Sequence, residues 1–438
     1  MDGFEEHPLR RTLANELHAR PFQPMKAPGR VLHLAFKQIS DAEKRDAEAD
    51  HEHLVSLLDL HGAAHPASGA NHHVVEIGRV VLKWERHTEF VSYTFFQSGP
   101  SDRLFEGSQP LGLPEGWLQS APGKVTAAIE CELVVAESRE GAVDLLRGPL
   151  SANFAMDSLA SAWVADNAIL AAGDFHIHEH GLSRFGLIIC GEAGPRRIGR
   201  VCQRLLEIEV YRALAMMALP AARETATRLN QIERSLADLI GQVALDEDAA
   251  PEGVILAELT ERSAEIEALA ANTAFRFGAA SAYETIVHQR IEMLAEERVE
   301  GRQQFREFML RRFDPAMRTV HAAERRLAEL AVRASRVSEL LRTRVNVALE
   351  GQNRDLLKSM DRRAGLHLRL QQTVEGLSVV AISYYAVSLA SYLLAPFASK
   401  IGLDKTTATA VVTIPVILAV WLFVRRIRHR IEAGRTPD

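Results

Sequence analysis

Histidine is the residue type whose number and spacing could do chemistry. The chain carries 17 histidines, and three of them alternate in the segment His176-Ile177-His178-Glu179-His180. In an extended strand, successive side chains point to opposite faces, so these three imidazoles would share one face. Such imidazole sets bind zinc and related metals. We predict His176, His178 and His180 as candidate metal ligands, the alternative being a solvated strand face.

A second group of histidines falls in one short window of the sequence. Its members are His51, His53, His61, His65, His72 and His73. No cysteine or carboxylate completes a recognisable metal-ligand spacing around either group. The sequence therefore leaves the identity of any cofactor open, and a helix surface with incidental histidines is the alternative.

The loop Gly191–Arg200 (GEAGPRRIGR) follows a predicted strand and opens a predicted helix. The amino end of a helix can hold a phosphate, and Arg196 and Arg197 would assist as ligand-binding residues. The loop lacks the full G-x-G-x-x-G pattern and the P-loop lysine. A plain strand-to-helix turn is the alternative.

A third candidate is the segment Leu17-His18-Ala19-Arg20-Pro21-Phe22, which combines an imidazole and a guanidinium with an extended Arg-Pro step. His18 and Arg20 are candidate contacts to a ligand or to a second subunit. An ordinary structural turn is the alternative.

Enzyme signatures are missing from the sequence. It contains no G-x-S-x-G, no H-E-x-x-H and no credible cysteine–histidine nucleophile pair. We therefore expect a protein that is not an enzyme. The three cysteines, Cys131, Cys190 and Cys202, are odd in number and not in C-x-x-C spacing, which favours a reducing compartment over a disulfide framework.

Two uncharged segments near the carboxyl end predict a transmembrane helical hairpin. They are residues 376–399 and 406–424, and each has the ~20 residues that a helix needs to cross a bilayer. The link between them is only six residues long. A buried hairpin in a soluble core is the alternative.

The basic residues around these segments predict their orientation. Arginines follow the second span in the tail 425–438, lysine and arginines precede the first, and the link holds only Lys400 and Lys405. Because basic residues stay on the cytoplasmic side, we expect both termini in the cytoplasm. The amino end shows no apolar signal-peptide core. We therefore predict a multi-pass protein of the cell inner membrane.

Hydroxyl side chains within the first span are the remaining candidates. Tyr385, Ser388 and Tyr392 lie about one helical turn apart. They would line a pore if several copies of the span surrounded one axis. The alternative is hydrogen bonding and close packing between helices.

Hydropathy patterns indicate the elements that must position these residues. Residues 1–190 combine short alternating strands with a helix, which predicts an α+β domain with a mostly antiparallel sheet. Residues 191–313 predict a helical bundle, and 314–375 a long stalk helix that continues into the first span. The predicted fold is an α+β N-terminal domain, a helical bundle and stalk, and a C-terminal transmembrane hairpin.

The apolar stripe of the stalk predicts helical partners. Its members recur in steps of three and four: Leu327, Leu330, Ala334, Val337, Leu341, Val345 and Ala348. A helix of this length cannot bury such a stripe alone, so it needs partners from its own chain or from copies. We expect a homo-oligomer with coiled-coil pairing, embedded in the lipid bilayer. A net charge of −6 gives no basic footprint for nucleic acid.

Three stretches resemble the proteobacterial domain-of-unknown-function family 3422. They are HPLRRTLANELHARPF near the start, QRLLEIEVYRALAMMALP at Gln203–Pro220, and VEGLSVVAISYYAVSLASYL at Val374–Leu393. The resemblance covers nearly the whole chain. It implies a membrane-anchored inner-membrane protein, and it brings no known activity or catalytic residue.

The predicted architecture is also similar to that of CorA-type divalent-cation transporters, which are homopentamers with the first span lining the pore. Their Gly-Met-Asn signature after the first span corresponds here to Gly402-Leu403-Asp404, where only the glycine matches. The similarity implies ion conduction as one function. A non-transporting scaffold or a sensor that presents the cytoplasmic domain to a protein partner is the alternative.

Overall fold

The chain folds into two compact units, Met1–Ser338 and Glu339–Asp438. The computed structural model describes residues 5–11, 13–14, 22–39, 46–67, 69–100, 103–105, 113–245, 252–398 and 405–433. The first unit contains the sheet and the helices that cover it. The helices predicted as a separate bundle therefore belong to the same compact unit as the sheet.

A sheet of nine strands, counted in the described residues, forms the centre of the first unit. Its strands are β1 (Gly29–Lys37), β2 (His72–Ile77), β3 (Val80–Arg86), β4 (Phe90–Ser98), β5 (Lys124–Val135), β6 (Ala160–Val164), β7 (Ile169–Gly173), β8 (Ser183–Ile189) and β9 (Glu297–Arg298). The spatial order is β2-β3-β4-β1-β5-β8-β7-β6-β9. The β5–β8 pair is parallel and the others are antiparallel, which confirms the predicted α+β class.

The described part of the chain contains eight α-helices. They are α1 (Ala47–His61), α2 (Arg139–Arg147), α3 (Pro195–Met216), α4 (Ala218–Leu245), α5 (Glu252–Leu294), α6 (Phe305–Arg312), α7 (Asp314–Ala398) and α8 (Lys405–Ala433). Helix α1 begins where the Asp46 carboxylate accepts two free amide hydrogens of the first turn. Proline at the first position begins α3, where no amide hydrogen is needed.

Both faces of the sheet are buried. On one face, apolar residues such as Leu32, Trp84 and Tyr93 pack against α1. The opposite face carries the alternate residues, including Val31 and Ile129, and it packs against α3. The sheet therefore lies between two helical layers, and the larger core is on the α3 side.

The stalk stripe is buried within its own chain over its first part. Leu327, Leu330 and Ala334 of α7 are at most 4% exposed. Nearby, the Arg326 guanidinium donates hydrogen bonds to Asn230 at 2.8 Å and to Glu233 at 2.9 Å, both on α4. Packing within the same chain thus buries this part of the predicted apolar stripe.

Irregular backbone separates several elements. Residues 165–167 adopt left-handed backbone and reverse the chain between β6 and β7. The predicted strand at 175–180 is irregular chain and a turn. Helix α5 ends at Leu294, where Ala295 adopts a positive φ of 50°. The Glu296 carboxylate then accepts the amide hydrogens of Phe305 and Arg306 at the start of α6.

Two helices are long and apolar enough to cross a membrane: Asp314–Leu393, within α7, and Thr409–Ile427, within α8. They overlap the two predicted spans, residues 376–399 and 406–424. Their apolar side chains are exposed, as Leu389 (62%) and Ile414 (74%) illustrate. The predicted link between them falls mostly at residues 399–404, outside the described residues.

Candidate functional site

Five polar side chains of three adjacent strands line up on the face of the sheet that meets α3. Thr94 of β4 lies opposite His33 of β1 and opposite Lys83 of β3. One step along the strands, Ser92 lies opposite Glu85. Side chains alternate along a strand, so all five share one face. Each of the five residues is at most 9% exposed, although their types are typical of a solvated face.

A cavity of about 240 Å³ lies between this polar row and α3. Helix α3 contributes Gly199, Gln203, Glu207 and Tyr211 to its wall, which are spaced four apart and so lie on one helical face. Arg290 of α5 completes the charged part of the lining. The cavity thus lies within the first unit, walled by a sheet face and two helices.

Close packing between the chain before β1 and α3 positions the cavity wall. The Met25 amide donates to the Pro195 carbonyl at 2.9 Å. A methyl group at Gly199 would overlap the Gln23 carbonyl oxygen. Glycine is therefore required at this position of the helix, and Gln23 lines the cavity beside it.

His33 is an uncharged hydrogen-bonding group in this wall. Its Nδ1 lies 2.8 Å from the Thr94 hydroxyl oxygen, and its Nε2 is buried with no partner among the described residues. Burial, and then the positive charge of Lys83, lowers the pKa of His33 to about 3. A buried ring nitrogen without a partner is costly, so the position favours a polar occupant of the cavity.

Two ion pairs complete the charged part of the lining. Lys83 Nζ lies 3.0 Å from Glu85 Oε1, and Arg290 forms an ion pair with Glu207. The Gln203 amide also donates to Glu207 at 2.7 Å. These groups can bind a ligand by hydrogen bonds and charge. The neutral imidazole and the hydroxyls of Ser92 and Thr94 can orient it.

A buried network beside the cavity ties its wall to α5. The Glu89 carboxylate accepts hydrogen bonds at 2.8 Å from Arg276 and from the Tyr283 hydroxyl. The Tyr283 ring stacks on that of Tyr211, with centroids 5.4 Å apart, and burial raises the pKa of Tyr283 well above its usual value. The network therefore connects α5 to Tyr211, a residue of the cavity wall.

The three alternating histidines do not share a strand face. The Asp174 carboxylate, fully buried, accepts from the His176 amide and lies 2.7 Å from His178 Nε2. His176 and His180 are exposed. In the described residues no group of three or more His, Cys, Asp or Glu side chains is arranged to hold a metal ion, so the predicted metal site gains no support.

The second histidine group is dispersed in the structure. His53 is buried, its Nδ1 lying 2.7 Å from the Tyr93 hydroxyl and its Nε2 2.9 Å from the Trp117 carbonyl oxygen. Burial is the main cause that lowers its pKa. His65 pairs with Asp59 at the surface. These contacts hold α1 and the loop before β5 in place.

The predicted phosphate loop opens α3 as expected, but its arginines do not converge. Arg197 forms an ion pair with Asp166, and the Arg196 side chain is exposed. His18 and Arg20, the other predicted ligand contacts, lie outside the described residues.

The predicted pore residues lie on an exposed part of α7. Tyr385 is 68% and Tyr392 77% exposed. The Ser388 hydroxyl donates to the Tyr384 carbonyl at 3.0 Å, within its own helix. Their role as pore-lining residues stays a prediction.

The sequence predictions missed the cavity. A signal existed: His33 and Lys83 lie inside the otherwise apolar runs 31–36 and 80–84, and Glu85 follows the second run. Alternation alone assigns such residues to solvent, and only the later packing of α3 makes them internal.

Comparison with known proteins gives a family without a function. The family described as "Protein of unknown function (DUF3422)" matches residues 5–431, nearly the whole chain. No curated protein and no solved structure matches. The chain belongs to this family of proteins of unknown function.

Proposed function

We propose that this family member is a membrane-anchored sensor. On this proposal, its first unit binds a small polar molecule in the cavity between the sheet and α3, and the carboxyl-terminal helices hold it at a membrane. It is a binding protein and not an enzyme. The observation that carries the proposal is the enclosed row His33–Thr94–Lys83, because buried polar groups are retained where they have partners to bind.

Identification of the occupant tests this proposal directly. Small molecules released by unfolding the purified full-length protein would be compared by mass spectrometry between the wild type and Ser92→Phe, whose larger side chain fills the cavity. We expect a released molecule that the variant lacks. The same released molecules from both proteins, with Ser92→Phe still folded, would contradict a binding role for the cavity.

The membrane anchor rests on the two exposed apolar helices of the second unit. We propose that both cross the inner membrane, that the link near residue 402 faces outward, and that both termini are cytoplasmic. The arginines after the second span and before the first support this orientation. The sensing unit would then sample cytoplasmic molecules.

A homo-oligomer is the second part of the proposal. In the second unit, Leu356, Met360 and Leu370 of α7 are 58–67% exposed and lie at spacings that place them on one side of a helix. Parallel copies of α7, held in register by a common membrane, would cover these residues. We also propose a protein partner whose binding depends on whether the cavity of the first unit is occupied.

Ion conduction is the alternative function. The hydroxyl groups of Tyr385, Ser388 and Tyr392 favour it, since polar groups within a bilayer mark ion pathways when they face water. Cysteines at these positions should then react with water-soluble thiol reagents and block ion flux in liposomes. Inaccessible positions, or flux unchanged after labelling, would eliminate conduction and leave the sensor.

A further inference from the structure

Guanidinium groups gather where α3 and α5 meet the cavity. The Arg204 Nη1 donates to the Met293 carbonyl at 2.7 Å, and Arg290, which lines the cavity, reaches the Met293 sulfur at 3.6 Å. Both arginines thus contact one residue of α5. Arg200, one turn before Arg204, lies over the Phe22 ring at 5.2 Å, next to the cavity residue Gln23.

These groups are close enough to repel each other. Burial, and then the positive charges of Arg200 and Arg290, lowers the pKa of Arg204. Three guanidinium groups therefore share one region, where Glu207 is the carboxylate that pairs with Arg290. Clustered guanidinium groups are the usual means by which proteins bind carboxylates and phosphates.

The charged residues that line the cavity balance: Lys83 and Arg290 are positive, and Glu85 and Glu207 are negative. Arg200 and Arg204, outside the lining, add two positive charges beside it, an excess of two. His33 is neutral. An occupant with a negative charge would offset the excess of two, whereas a cation would be repelled.

Other residues of the wall are apolar or aromatic. Phe90, Phe96, Leu206 and Val210 line the cavity with Tyr211, and the His87 ring stacks on Phe90 with centroids 4.1 Å apart. Such walls fit the face of a flat carbon framework. The polar row on β1, β3 and β4 supplies hydrogen bonds at its edge.

We infer that the cavity binds a small organic anion, with a flat apolar body between the sheet and α3 and its negative group held by Arg290 and its neighbouring arginines. This inference rests on the proposed binding function and names its ligand class. His33, Ser92 and Thr94 form hydrogen bonds with a polar group at the edge of this apolar body. The negative group is a carboxylate or a phosphate, since both match the geometry of guanidinium.

The test compares matched probes that differ in charge. Benzoate, phenyl phosphate and neutral benzamide have similar bodies, and each would be titrated calorimetrically into the full-length protein in detergent. We expect benzoate or phenyl phosphate to bind at least about tenfold more tightly than benzamide, because charged hydrogen bonds are the stronger ones. Preference for benzamide would overturn the anion inference and leave the binding function standing. Equal binding of the three probes, or binding of none, would also overturn the anion inference, and the binding function would then be decided by the mass-spectrometric comparison alone.

Two variants that change the charge of the site in opposite directions distinguish an effect on binding from an effect on folding. Arg290→Met should weaken binding of the anionic probe about tenfold or more, and Glu207→Gln should strengthen it by removing a repelling charge. Arg223→Met, at an exposed position of α4 outside the lining, is the control and should change nothing. If the Arg290–Glu207 ion pair only stabilised the fold, both changes would weaken binding. That result would contradict the inference.

Discussion

His33 shows how one residue's role depends on packing that its own strand does not reveal. It is a polar residue within the otherwise apolar run 31–36 of β1, and that run does not show what surrounds its side chain. In the fold it is buried between Thr94 and the Lys83 charge. The covering helix begins more than 150 residues later in the chain, so no local pattern could predict this environment.

The low pKa of His33 predicts how stability depends on pH. In the unfolded chain this imidazole has the ordinary histidine pKa of 6.5, while in the folded protein it binds a proton only near pH 3. Stability should therefore be complete above about pH 6.5 and fall as pH decreases toward 3, by ~1.4 kcal/mol per pH unit for one proton. Urea unfolding of the first unit, followed by tryptophan fluorescence, would show a shallower dependence in His33→Gln.

The exposed His61 provides the control for that measurement, since His61→Gln removes an imidazole from the surface at the end of α1. An identical pH slope in wild type and His33→Gln would show that His33 is not the buried neutral group described.

Gly199 makes a second prediction about a single residue. Gly199→Ala should lower the free energy of unfolding by roughly 1–3 kcal/mol, because its methyl group overlaps the Gln23 carbonyl and overpacking has costs of this size. Gly278→Ala in α5, where an added methyl meets nothing within 4 Å, should instead be neutral or stabilising by up to ~1 kcal/mol. Thermal unfolding of the two variants measures the contrast. Equal effects would refute the close contact.

Helices and strands could be predicted from the sequence where a pattern of apolar residues continues along the element itself. The five strands β1 to β5 follow from alternation and β-branched residues, and α3 and α4 from apolar periodicity. Prediction failed where tertiary contacts override it: Phe175, at a positive φ of 54°, stacks on Phe308 of α6 at 4.5 Å. That contact turns the chain away from β7, and Phe308 is too distant in sequence for the strand pattern to reveal it.

The α7 helix should behave differently along its length. Leu330→Ala removes a side chain that is 2% exposed and should lower the free energy of unfolding of the first unit by ~2–5 kcal/mol. Leu356→Ala changes a side chain that is 62% exposed and should leave that stability unchanged while weakening oligomer formation. Urea unfolding and light scattering measure the two effects. An oligomer unaffected by Leu356→Ala would count against pairing at this position.

At the scale of the molecule, the two units differ in how they satisfy their apolar residues. The first unit buries them on both faces of its sheet. The second unit exposes its apolar residues along α7 and α8, as helices do when lipid or another helix surrounds them. The sequence predicted this division from its uncharged segments alone, since the length needed to cross a bilayer is a local property. The cavity depends on distant contacts and required the fold.

Thiol labelling of the link and a terminus in intact cells tests most directly whether the two helices cross the membrane. Single cysteines at Asp404 and at Thr436 would be treated with a membrane-impermeant maleimide before and after permeabilisation. For a membrane-anchored sensor we expect labelling of the Asp404 position in intact cells and of the Thr436 position only after permeabilisation. Labelling of both positions only after permeabilisation would show that the helices do not cross the membrane, and would contradict a membrane-anchored sensor.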